Sequence, residues 1–238
     1  VYKAAFLTLM VFVLVSCNFQ MQEKTTNEVK IVGEMRNVMW KGQLGGNIDL
    51  DTIANKTNFY GLGPVEYLRG EILIIDGRAY KSTVVSDSTM KVEATYDIKA
   101  PFFGYANISQ WSEEVLPDSV QTIQQLERYL DAITQSSPRP FMFKLSGTVE
   151  EAIIHVVNLP EGSKVSSPEE AHQGQVNYEL KNEPSDIVGF FSTGHRAVFT
   201  HHDTYLHMHL ITKDLQQMGH LDEVVFEKGA MKLYLPVE

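Results

Sequence analysis

Cysteine is almost missing from this chain. Cys17 is the only one among 238 residues, so no internal disulfide can form and the fold must rest on its core. Basic charge is also short: 20 Lys and Arg stand against 30 Asp and Glu, a net charge of -10. With no basic stripe to displace counterions, nucleic acid is excluded as a partner, and so is a polybasic grip on anionic lipid. No apolar run reaches the length of a spanning helix; the best, Ala4 to Val15, has about a dozen residues where about 20 are needed. Several catalytic signatures are absent too. There is no Gly-x-Ser-x-Gly elbow and no His-Glu-x-x-His helix. Gly61-Leu62-Gly63 lacks the third Gly and the Lys of a phosphate-cradling loop.

What is present suffices for a globular core. Hydrophobic residues make up 43% of the chain and aromatics 10%, which fits one large domain or two small ones. The apolar run after Val1-Tyr2-Lys3 has the form of a secretory h-region, and Leu14-Val15-Ser16-Cys17 matches a bacterial lipobox. Residues 1–17 therefore read as a lipoprotein signal peptide with Cys17 as the lipidated residue. Residues 18–28 read as a flexible polar tether and residues 29–238 as the folded domain. This places the protein in a bacterial cell envelope, on the periplasmic or surface side, touching the membrane only through its N-terminal lipid.

The domain reads as strands with few helices. Val29 to Val32 begins the first, and Met35 to Trp40 fits a short strand or a helical turn. Glu71 to Ile75 and Arg78 to Lys81 flank Asp76-Gly77, a dipeptide suited to a type I′ hairpin. Thr83 to Met90 and Lys91 to Ile98 read as a further pair of strands. Ser119 to Gln135 reads as the best helix, capped by Asp118 or Ser119, with Ile123, Leu126, Leu130 and Ile133 on one face. Phe141 to Ser146, Ala152 to Val157, Val176 to Leu180 and Ile187 to Phe191 are separate short strands in this reading, and Glu161 to His172 is a polar loop.

Five of the eight histidines fall between His201 and His220. If Leu206 to Thr212 is a strand, His207 and His209 point the same way with Cα atoms about 7 Å apart. That gap suits two imidazoles converging on one small cation, and a turn before Gly219 could return His220 as a third. Three neutral imidazoles with an open position are the usual arrangement of a catalytic zinc. His195, His201 and His202 read as surface or rim residues. Glu71, ahead of four apolar residues, sits at a mouth beside a core or on a solvated edge. Cupins also place His-x-His on a strand, but with a Glu soon after, and Leu210-Ile211-Thr212-Lys213 offers none.

These residues resemble one family. Gly189-Phe190-Phe191, then His207-Met208-His209-Leu210-Ile211-Thr212-Lys213-Asp214 and Gly219-His220, are similar to the signature of the acetolactate decarboxylases, His-Leu-His-Phe-x-Thr-Glu-Asp followed by Gly-Gly-His. Gly61-Leu62-Gly63 with Tyr67-Leu68-Arg69-Gly70-Glu71, Ala100-Pro101-Phe102 and Phe143-Lys144-Leu145-Ser146-Gly147-Thr148 fall in family order, so the likeness spans about Val38 to Pro236. The resemblance implies a β-rich α/β fold of two sheets, one mixed and one antiparallel, with few helices, and a homodimer, as is usual in the family. It implies one zinc per chain on His207, His209 and His220, chelated by the keto and hydroxyl oxygens of 2-acetolactate on its way to acetoin and carbon dioxide. Glu71 would assist proton transfer.

Three departures stand out. The family's substrate-side Arg is His155 here, and an imidazole offers one donor where a guanidinium offers a fork. Pro64 and Arg69 stand where Thr and Asp are usual. The sequence ends at Glu238, short of the tail that returns a second carboxylate in the family. These departures leave two other readings open: a related metal-dependent lyase or isomerase acting on another keto acid, and a non-catalytic, metal-containing binding lipoprotein.

Overall fold

The computed structural model describes residues 27–196, 198, 200 and 204–237. The stretch read as a signal peptide with Cys17, the stretch read as a tether up to residue 26, His201, His202 and Glu238 lie outside the described residues. Of the tether, Asn27 donates its amide to the Val237 carbonyl (2.7 Å). Among the described residues no helix is long and apolar enough to cross a membrane.

The chain runs β1 (Lys30–Val32), α1 (Met35–Lys41), β2 (Ile48–Asp49), β3 (Phe59–Pro64), β4 (Glu71–Ile75), β5 (Arg78–Ser86), β6 (Thr89–Ala94) and β7 (Lys99–Ala100). It continues with β8 (Phe103–Asn107), β9 (Trp111–Val115), α2 (Ile123–Ile133), β10 (Phe141–Val156) and α3 (Pro168–Ala171). The last four strands are β11 (Val176–Phe191), β12 (Leu206–Thr212), β13 (Met218–Phe226) and β14 (Lys232–Pro236). One six-stranded sheet has the order β1-β8-β3-β4-β5-β6 and the other β11-β12-β13-β10-β14-β9; β2 and β7 form a small pair. Because β10 also pairs with β11, the ladders β10-β11-β12-β13 close into a circuit.

Two β-rich sheets with few helices are as the sequence led us to expect. The mixed character of one sheet is not seen: every named ladder is antiparallel. The only parallel pairing among the described residues is the isolated bridge of Arg196 with Thr200. Other expectations shift. Phe141 to Ser146 and Ala152 to Val157 merge into one strand of 16 residues that ends at Val156, and Val176 to Leu180 and Ile187 to Phe191 merge into another of 16. Gly147 does not end β10: it stays in the ladder opposite Ser185, and a Cβ there would strike the Ala230 carbonyl. Thr83 to Ser86 continues β5, and the turn to β6 falls at Asp87-Ser88.

The best helix starts later than its apolar spacing suggests. Thr122 caps it rather than Asp118 or Ser119, with its hydroxyl accepting from Gln125 N and the Gln125 side chain returning to Thr122 N. Met35 to Lys41 resolves as helix, stopped by Gly42 in the left-handed region (φ 61°). The Asp76-Gly77 hairpin stands as expected, with φ 46° and 74° as a type I′ turn requires.

The sheets meet on Tyr60, Leu62, Leu73, Met142, Val188, Phe190, Ile211 and Met218. Behind the second sheet, Leu126 and Leu130 of α2 are fully buried among its strands. A third cluster joins α1 and α3 through Met35, Val38, Leu68, Phe102, Val157 and Ala171. This last cluster walls the functional pocket.

Candidate active site

Strand register assembles the site. Residues directly opposite in an antiparallel pair share a face. His209 lies opposite His220, and His220 lies opposite His155, so one row of imidazoles crosses β12, β13 and β10. His207, two residues along β12, joins the same face. The close packing of this row explains the glycine before His220: a Cβ on Gly219 would strike the His155 carbonyl. Ring centroids lie 5.1 Å apart for His207 and His209, 5.0 Å for His207 and His220, and 5.5 Å for His209 and His220. Each offers one nitrogen, and the three nitrogens lie within 4.8 Å of one another.

His209 is fully buried, and its Nδ1–H donates to the Ile72 carbonyl (2.8 Å). That bond fixes the tautomer and leaves a lone pair on Nε2, which is buried and has no hydrogen-bond partner. An orphaned buried acceptor is costly, and here it points at two more imidazoles. Burial pushes the His209 pKa well below its ordinary value, with the neighbouring His207 and His155 adding to the effect and the Ile72 carbonyl opposing it. A neutral ring is what metal ligation needs. The three histidines can therefore hold a metal ion, and their all-nitrogen set suits zinc.

Glu71 reaches the row from the other sheet. It is 3% exposed, with Oε2 3.6 Å from His209 Nε2 and Oε1 3.9 Å from His155 Nε2. Val157 N–H donates to Oε1 (3.2 Å). The turn that delivers Glu71 holds Tyr67 and Leu68 at φ 59° and 52°, a left-handed geometry unusual for bulky residues. Burial pushes the Glu71 pKa well above the carboxylate range; the Val157 bond opposes this and the Asp222 charge adds to it. The choice between a mouth and an edge thus falls to the mouth.

His155 is buried, stacks on His220 at 4.7 Å, and places Nδ1 2.8 and 2.9 Å from the two oxygens of Asp222. Met35, Met39, Leu68, Phe102 and Val157 form apolar walls in front of the row, with Trp40 and His172 also lining the pocket. Pro64 lines it as well. His195 meets the Ser192 hydroxyl (2.7 Å) and is not part of this lining. The sequence reading missed Asp222 and His172. The aim of Asp222 depends on a slip in the β10–β13 ladder that strand alternation does not reveal, and nothing in the polar loop singled out His172.

Comparison with known proteins decides the family. The alpha-acetolactate decarboxylase model matches residues 33–235. The chain belongs to this family. Its curated relatives include the alpha-acetolactate decarboxylases of Lactococcus lactis subsp. cremoris, 25% identical over 73% of this chain and 70% of the relative, and of Brevibacillus brevis, 24% identical over 83% and 66%. The crystal structure of acetolactate decarboxylase from Bacillus subtilis subspecies spizizenii shares the fold, with a TM-score of 0.73 at 20% identity, covering 88% of this chain and 86% of that one. The protein is thus a member of a carboxy-lyase family, and its histidine row and Glu71 sit on that family's fold.

Proposed function

We propose that this protein converts 2-acetolactate to acetoin and carbon dioxide at a zinc held by His207, His209 and His220. The observation that carries the reading is the orphaned Nε2 of His209, gathered with the nitrogens of His207 and His220 at the back of a pocket that Glu71 also lines. Zinc bound there would supply a Lewis acid for the neighbouring keto and hydroxyl oxygens of the substrate. The reaction consumes one proton, delivered to the carbon that loses carbon dioxide. Glu71 is the group to deliver it, since burial raises its pKa well above the ordinary carboxylate range and so favours its protonated form. The apolar walls from α1, Leu68 and Phe102 exclude water and raise the energy of the substrate carboxylate, which favours its departure. His155 faces the same pocket from the position of the family Arg.

One feature supports a second reading. His155 is engaged by Asp222 and presents a single nitrogen where the family presents a guanidinium fork, so a different keto acid is the alternative substrate. Anchoring through Cys17 in a bacterial envelope, and a homodimer, belong to the proposal as well. Acetoin released from acetolactate, measured beside a panel of other 2-hydroxy-3-keto acids, separates the readings. Preference for acetolactate supports the first, and preference for another acid supports the second.

A further inference from the structure

Beyond its charge effect on Glu71, Asp222 has no part in the chemistry above, yet the fold places it closely. The β10–β13 ladder slips here: Ile153 pairs with Glu223 and Ile154 with Leu221, so Asp222 stands opposite no residue. Such a bulge bends the strand and re-aims a side chain. Both carboxylate oxygens of Asp222 come within 2.9 Å of His155 Nδ1. A carboxylate only accepts, so Nδ1 carries the hydrogen, and Nε2 is turned towards Glu71 Oε1 at 3.9 Å on the pocket side. The ring is held between the stacked His220 and the edge of His172, 4.7 and 5.8 Å away. The Asp222 side chain itself is 30% exposed and lines a groove outside the pocket.

We propose that Asp222 is a positioning residue: its bond to Nδ1 fixes the His155 ring so that Nε2 is presented to an oxygen of the substrate. This rests on the reading of the pocket given above. A guanidinium covers a broad target with five donors, while an imidazole has one useful atom and must be oriented to use it. The replacement of Arg by His and the bulge at Asp222 are two halves of one arrangement.

The test pairs kinetics with a reading of the ring that needs no turnover. In zinc-loaded Asp222→Leu, KM for acetolactate should rise about tenfold with kcat within about threefold of wild type. Zinc should stay at one per chain. In a His155→Gln background the same change should move KM less than about twofold, because it is through His155 that Asp222 acts on substrate binding. Nitrogen-15 spectra of the His155 ring should show Nδ1 protonated in the parent protein and that arrangement lost in the variant. Unchanged KM, a full additional effect without His155, or loss of zinc (which would assign Asp222 to His220, 3.8 Å away) overturns the proposal. A parent ring protonated at Nε2 alone overturns it too. If Asp222→Leu does not fold, Asp222→Ser, too short to reach Nδ1, is read the same way. A parent protein that releases no acetoin defeats the proposed function, and the spectra then still decide the positioning.

Discussion

His209 and His155 stand at the two ends of one cross-strand row, and their partners set them to different tasks. His209 gives its Nδ1–H to the neutral carbonyl of Ile72 and has no solvent access at all. Its partner asks for a neutral ring, burial enforces it, and the bare Nε2 is left to a metal. His155 gives its Nδ1–H to the carboxylate of Asp222, which still touches solvent. Its partner orients the ring towards substrate and does not commit it to a metal. Identical side chains one strand apart on either side of His220 thus differ by what stands behind them. Glu71, facing both, brings an ionisable group from the first sheet to the row.

The largest effect should come from breaking the His209 end. His209→Ala should lose zinc and turnover together, while His155→Gln keeps one zinc per chain by elemental analysis. Zinc loss in both would erase the distinction. Glu71→Gln comes next: kcat should fall about 10²–10⁴-fold with zinc content unchanged, the range for removing a general acid. Activity near wild type would move the proton source elsewhere.

The same substitution sharpens the electrostatics in the metal-free protein. The folded-state pKa of Glu71 is raised above its ordinary 4.5, so its contribution to stability is present below that value and fades as pH rises towards the folded pKa. A glutamine is neutral throughout. Thermal unfolding should show Glu71→Gln stabilised relative to the parent, more at about pH 8 than at about pH 5. An equal shift at both values would mean the carboxyl is not held protonated by the fold. The smallest effect is a control away from the row. Thr122→Ala should lower stability by about 1 kcal/mol through the lost cap of α2, with zinc and kcat unchanged.

The His209 end was legible in the sequence because strand alternation and a short turn bring His207, His209 and His220 together with local information only. The His155 end was not. Its strand was read as two pieces, since Gly147 looks like a break until the Ala230 carbonyl is seen packed against it. Asp222 depends on a one-residue slip in a ladder between strands about 70 residues apart, and no local pattern encodes that slip. The helix start moved to Thr122 because a reciprocal cap outweighs the reach of the apolar stripe. Long-range register, more than residue type, was the missing quantity.

Whether the row and Glu71 form a working decarboxylase site is decided by the product. Acetoin release from racemic acetolactate by the zinc-loaded protein, with His207→Ala as the blank, tests it directly. Zinc-dependent acetoin well above the blank, at one zinc per chain, is the expected result. A protein that binds one zinc and releases no acetoin would contradict it, leaving the family's fold and metal face without the family's reaction.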